Sequence, residues 1–222
     1  MAHKLPRKST NVDMTAMCDV AFLLLTFFML ATKFKPAEPV VVRTPTSVAN
    51  VPQPDNSILI TIDKDGKMYM DFDNKDAKVD LINKVNTEKN LGLSEAEKQS
   101  FITGSAIGAS FANLKSFLAL SADERKKFPE LGIPCDTTFA PETNELAYWV
   151  YNARMAGVNS KLAKQPLICI KCDAGLHYPG FKNLMRVLTK NEIFQFNLLT
   201  NVEQVPEGTA LYNDRVLGTN KK

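Results

Sequence analysis

The chain has 222 residues, 45% of them hydrophobic and 23% charged, an ordinary globular balance with room for one soluble domain and little more. A net charge of +3, with no basic stripe interleaved with aromatics, argues against nucleic acid as a partner. Four cysteines in a chain of this length do not make a disulfide framework.

From Met14 to Thr32 run 19 residues with a single charge, about 28 Å of helix at 1.5 Å per residue. A hydrocarbon core is about 30 Å thick, so this run is expected to cross a lipid membrane once, and no second stretch of its kind follows. Lys4, Arg7 and Lys8 precede it, as they would in a cleaved secretory signal. No A-x-A-like site follows Leu30, however, and the core of a signal rarely carries an acid. The run therefore reads as an uncleaved single-pass anchor, with the buried helix of a soluble protein as the alternative. Lys33 and Lys35 lie just beyond it, so charge alone biases the N-terminus only slightly toward the cytoplasm.

The acid inside that run is Asp19, in "TAMCDVAFLLLTFFM". A charged carboxylate near the centre of a membrane helix costs roughly 2.5–3.5 kcal/mol. At 100° per residue, Thr15, Asp19, Thr26 and Lys33 fall within about 40° of one another, while Phe22, Leu24, Leu25, Phe27 and Phe28 spread over the remaining surface. A helix facing lipid on all sides gains nothing from such a polar stripe; a helix inside a ring of partner helices buries it in a polar or wet interior. Intramembrane acids mark ion pathways or proton relays. The alternative is a residue that hydrogen-bonds between helices and never titrates. Burial favours the neutral carboxyl and hydration the ionised one, so alternating surroundings would load and release a proton. One acid on one helix makes no channel alone, and partners are required.

Residues 36–56, "PAEPVVVRTPTSVANVPQPDN", hold five prolines and no helical period, and read as an extended, semi-rigid linker reaching up to roughly 65 Å. Within it, Val40, Val41 and Val42 form a β-prone patch that either adds to a sheet edge or is merely an apolar piece of linker.

A folded α+β domain is expected to follow. In "SILITIDKDGKMYMDFD", 57–73, two alternating runs flank a Lys64-Asp65-Gly66 turn, which predicts a β-hairpin. A helical pattern covers 77–89, and Ser94 with Glu97 and Ser121 with Glu124 have the spacing of capping boxes opening two short helices. An amphipathic helix is predicted over 142–156, around the only tryptophan, Trp149. "PLICIKCD", 166–173, then reads as a strand, 179–190 as a helix with proline in its first turn, and "FQFNLLT", 194–200, as a second strand. This βαβ unit should pair its strands in parallel. The tail from Asn201 reads as loop, with a short edge strand at 210–213.

Cys169 and Cys172 have the C-x-x-C spacing of a metal or redox motif, but residues three apart on a strand face opposite ways, so two buried thiols are expected and no metal site. A disulfide from Cys135 to one of them would require an oxidising compartment. His3 and His177 lack companions at ligand spacing, and no nucleophile–base pair, P-loop or dinucleotide fingerprint occurs. Neither an enzyme nor a cofactor is expected.

"VDMTAMCDVAFLLLTFFMLAT" resembles the transmembrane helix of the ExbD/TolR family of biopolymer-transport proteins: Thr15 four residues before Asp19, Val20 directly after it, and Phe28-Met29 nine and ten residues on. The strand–helix–strand at 166–200 is similar to the family's C-terminal unit, with Lys171, Asp173 and Tyr178 matching its lysine-x-aspartate and tyrosine. Ala16 stands where the family usually has proline and Asp13 where it has asparagine, and the stretch from about 90 to 165 is much longer than the usual connection.

What the resemblance implies is a proton-motive-force-driven motor subunit of the bacterial inner membrane. Two copies of its helix would sit as a dimer inside a pentamer of a multi-spanning ExbB-like partner, with Asp19 as the proton relay and Thr15 and Thr26 beside it. Force would pass to a TonB-like protein opening outer-membrane receptors, with Val40, Val41, Val42, Lys171, Asp173 and Tyr178 as candidate partner-binding residues. The implied layout is a cytoplasmic N-terminus (1–13), a transmembrane helix (14–33), a Pro-rich linker (34–56), a periplasmic mixed-sheet α+β domain (57–205) with a helical insert at about 90–165, and a tail (206–222). A TolR-like role in envelope integrity and a passive anchor for a periplasmic domain are the alternatives.

Overall fold

The computed structural model describes residues 14–31, 40–48, 53–128, 131–135, 143–160, 165–203, 205, 207–209 and 212. The chain divides into two compact units, Met1–Lys35 and Pro36–Lys222. The first contains helix α1, Met14–Ala31, the one described helix long and apolar enough to cross a membrane.

The second unit is an α+β domain built on a four-stranded mixed sheet. In chain order it holds β1 (Thr46–Ser47), β2 (Ser57–Ile62), β3 (Met68–Phe72), α2 (Lys75–Lys89), α3 (Glu95–Thr103), α4 (Phe111–Ala119), α5 (Ala122–Arg125), α6 (Glu145–Asn159), β4 (Leu167–Cys172), α7 (Tyr178–Lys190), β5 (Phe196–Leu198) and β6 (Asn201–Val202). The sheet order is β3-β2-β4-β5, with β2 antiparallel to β3 and parallel to β4, and β4 parallel to β5. The hairpin and the parallel βαβ unit expected from the sequence are both present.

Local chemistry sets these elements. The Asp63 carboxylate accepts the N–H groups of Asp65 and Lys67, each at 2.9 Å, closing the hairpin turn around Gly66 at φ +81°. The register pairs Ile58 with Phe72, Ile60 with Met70 and Ile62 with Met68, so every second residue of both strands faces the core. Asn74 caps α2 by accepting the Ala77 N–H at 3.2 Å, and Ser94 and Glu97 exchange the two bonds of a capping box at the start of α3. At α5 the Glu124 carboxylate accepts from both the N–H and the hydroxyl of Ser121. Asn144 caps α6 through Ala147, so this helix begins three residues later than the sequence predicts.

The core lies between the isoleucine face of the sheet and the helices. Ile58, Ile60, Ile62, Ile168 and Ile170 meet Leu81, Ile82 and Val85 of α2, Trp149, Val150 and Ala153 of α6, and Leu184 and Leu188 of α7. Trp149 is fully buried, its ring 6.0 Å from Phe101 and 5.3 Å from Phe111.

The long stretch from 90 to 165 is not an appendage. Its helix α6 supplies much of the core, and two of its loops lie along β3. Met70 and Ile107 exchange backbone bonds of 2.9 and 2.7 Å, and the Ile133 N–H donates to Met68 at 2.8 Å. Gly108 permits this approach, because a Cβ there would stand 2.3 Å from the Tyr69 ring. The outer edge of β3 is thereby closed.

Three expectations change. Helix α4 was not expected, since it has no side-chain cap of its own; its first N–H, on Phe111, donates instead to the Glu145 carboxylate on α6 at 2.8 Å. In the Pro-rich segment, the strand is Thr46–Ser47 rather than Val40–Val42, and it pairs in parallel with Asn201–Val202. Residues 40–48 are therefore folded onto the domain rather than extended, because their backbone finds partners there. The tail correspondingly holds a strand at Asn201–Val202 where loop was expected, while the edge strand expected at 210–213 falls largely outside the described residues.

Candidate functional site: a polar face on the membrane helix and a backbone clasp on the domain

Apolar residues surround most of α1, and none of its residues is buried within the chain. Phe22, Leu24, Leu25, Phe27 and Phe28 are each more than half exposed, which in water would be unfavourable and in lipid or among other helices is not. Asp19 is its one charged residue. Thr15 and Thr26 occupy the same face by helical spacing. The Thr26 hydroxyl donates to the Leu23 carbonyl at 2.9 Å, so the helix itself satisfies that donor while the oxygen keeps its capacity to accept. Lys33, expected on the same stripe, lies outside the described residues.

The second cluster sits in the folded unit, at the C-terminal end of β4. The Asp173 carboxylate accepts the Gly175 N–H at 2.8 Å and the Arg43 N–H at 3.0 Å. Those two bonds, the Gly175 one first, hold the Asp173 carboxyl below the usual carboxylate range. Ala174 returns its own N–H to the Arg43 carbonyl at 2.7 Å, and Asn201 and Glu203 donate to Pro45 and Ser47 at 2.9 and 3.0 Å. The segment entering the domain is thus clasped across the ends of two neighbouring strands. Val42, beside the clasp, is buried, whereas Val41 is 90% exposed.

The other candidates are placed individually. Lys171 is half-buried on β4 opposite Thr61 of β2, and Tyr178, 70% exposed, opens α7. Of the residues singled out from the sequence, the folding brings Asp173 to the Val40–Val42 segment through Arg43. Arg43 was not anticipated, because its role is carried by a backbone N–H, which any residue but proline supplies. The only advance signal was the β-prone run beside it.

The C-x-x-C pair behaves as two separate thiols. The register puts Cys172 on the isoleucine face and Cys169 on the other, both buried. Burial pushes the Cys172 thiol up to about 11 and also raises Cys169, against a weaker opposing hydrogen bond from Ser57. Both are protonated at neutral pH and poor nucleophiles. None of the four cysteines is joined in a disulfide, and among the described residues no three His, Cys, Asp or Glu side chains converge as a metal site.

Comparison with known proteins bears on both clusters at once. The family model described as "Biopolymer transport protein ExbD/TolR" matches residues 6–203, a span that holds the membrane helix, the clasp and the whole sheet. No curated protein and no solved structure matches the chain. An apolar helix interrupted by one acid, followed by a mixed-sheet α+β unit, over a match of that extent, identifies the chain as a member of the ExbD/TolR family, non-enzymatic components of biopolymer transport that carry a single membrane-spanning helix.

Proposed function

We propose that this chain is a proton-motive-force-driven motor subunit in which Asp19 loads and releases a proton. The observation that supports this reading is the position of Asp19: the one charge of α1, on the face that also carries Thr15 and Thr26, with apolar side chains over the rest of the helix. A carboxylate there costs too much to serve packing alone, and a polar interior shared with neighbouring helices offsets that cost. The membrane potential supplies about 2.3 kcal/mol per charge for each 100 mV, enough to drive such a cycle. Thr15 and Thr26 would hydrate and orient the carboxyl as its surroundings alternate.

Family membership implies partners of the ExbB and TonB type. In our reading, α1 pairs with a second copy inside an ExbB-like multi-spanning pentamer. The N-terminus is cytoplasmic, and the folded unit is periplasmic in the bacterial inner membrane. The folded unit engages a TonB-like protein through the region around Val40, Val41, Val42, Lys171, Asp173 and Tyr178. That region is where the segment leaving the membrane is bonded to the sheet, so a pull on either is transmitted to the other.

Asp19→Asn tests the proposal, since it keeps shape and polarity but cannot ionise. The variant should copurify with its ExbB-like partner and lose proton-driven transport. Full transport by that variant would refute the relay. Copurification with an iron-uptake partner rather than a cell-division partner would place the chain on the ExbD side of its family.

A further inference from the structure

Apart from Tyr178 at its start, which borders the proposed protein-binding region, the outer face of α7 serves neither the proton site nor the clasp. Along its 13 residues this helix carries Lys182, Arg186 and Lys190 and no carboxylate. Leu184, Val187 and Leu188 turn into the core. The opposite side is left to Tyr178, Lys182 and Arg186, all exposed, with Phe181 and Met185 half-buried at its margin. These side chains border an apolar groove of about 370 Å³.

We propose that this face docks on an anionic lipid surface. An aromatic and thioether floor flanked by long basic side chains is the composition of helices that lie in the headgroup region. There the alkyl stems follow the apolar floor and the charges reach the phosphates. The covalent layout supplies the occupant. Arg43 is clasped by Asp173 and Ala174, immediately ahead of Tyr178, so the tether enters the folded unit beside the start of α7. The chain between Ala31, the last residue of the spanning helix, and Val40 can extend no more than about 30 Å. A bilayer is therefore the one negatively charged partner whose presence within reach the chain itself guarantees, and so short a leash keeps its effective concentration high. Docking of this kind is independent of whether Asp19 carries protons.

The test uses the full chain reconstituted in lipid nanodiscs. One set contains phosphatidylcholine alone, the other phosphatidylcholine with phosphatidylglycerol, and each has acyl chains brominated near the headgroup. Tyr178→Trp places an indole on the exposed face, and the parent protein is the control because Trp149 is fully buried. Strong quenching of the variant in the anionic discs, little in the neutral ones and none in the parent is the expected result. Each basic residue near such a surface is worth about fivefold in the docking equilibrium, so losing the three charges should weaken docking by about a hundredfold, and K182E/R186E/K190E, which reverses them, should weaken it further and abolish the quenching. Salt provides the same readout without those substitutions, because at roughly 1 M the screening length falls to about 3 Å. Absent quenching in anionic discs, or quenching indifferent to lipid charge, salt and charge reversal, would overturn the proposal and assign the face to a second copy or a protein partner.

Discussion

Helices α1 and α6 are of similar length, 18 and 15 residues, yet the first buries no residue within the chain and the second buries nine. The contrast lies in how polar positions are distributed. In α6, Trp149, Val150 and Ala153 share a side that meets the core, while Tyr151, Arg154, Met155 and Val158 take the other. In α1, apolar side chains cover nearly every direction and the polar groups are confined to one narrow line. The lesson is that α6 finds its complementary surface inside this chain and α1 finds its own outside it. Stability of the domain and performance of the membrane helix should then be separable.

Replacing Met14–Ala31 with a leucine span is the most drastic way to break that separation. Transport should be lost entirely while the melting midpoint of the folded unit stays unchanged. A shifted midpoint would couple the two units, and retained transport would reduce α1 to an anchor. Trp149→Ala probes the other side of the comparison. Chemical denaturation should show a loss of about 3–5 kcal/mol, the usual cost of emptying a large aromatic site. Because the Trp149 indole N–H has no hydrogen-bond partner among the described residues, Trp149→Phe should cost much less than the alanine change.

The smallest effect concerns acid. Asp173 has its pKa lowered in the folded state, so its contribution is fully present above the ordinary carboxylate pKa and is lost as pH falls through the depressed folded value. The clasp on Arg43 should therefore resist mild acidification and open only below the normal carboxylate range. Limited proteolysis of residues 40–48 across an acid series would follow this. Release already near neutral pH would show that something other than Asp173 holds the segment.

What could be read from the sequence was what short-range chemistry decides. The hairpin came from two alternating runs, Ile58, Ile60 and Ile62 in the first, around a Lys64-Asp65-Gly66 turn, and two helix starts came from serine–glutamate pairs three residues apart. The polar line through Asp19 needed only the helical period. What escaped was set by distant partners. Helix α4 starts where Glu145 accepts its first N–H from 34 residues away, and the clasp joins residues 130 apart through a backbone group. Neither leaves a local signature. Capping of β3 by Ile107 and Ile133 likewise depends on two loops arriving side by side.

That capping has a consequence for assembly. With β3 blocked by the insert, β5 is the other edge strand of the described four-stranded sheet. Among the described residues of that sheet, a further strand could add at β5 and not at the blocked stretch of β3. An edge strand left unpaired is a template for association, and closing β3 removes one such template from the folded unit.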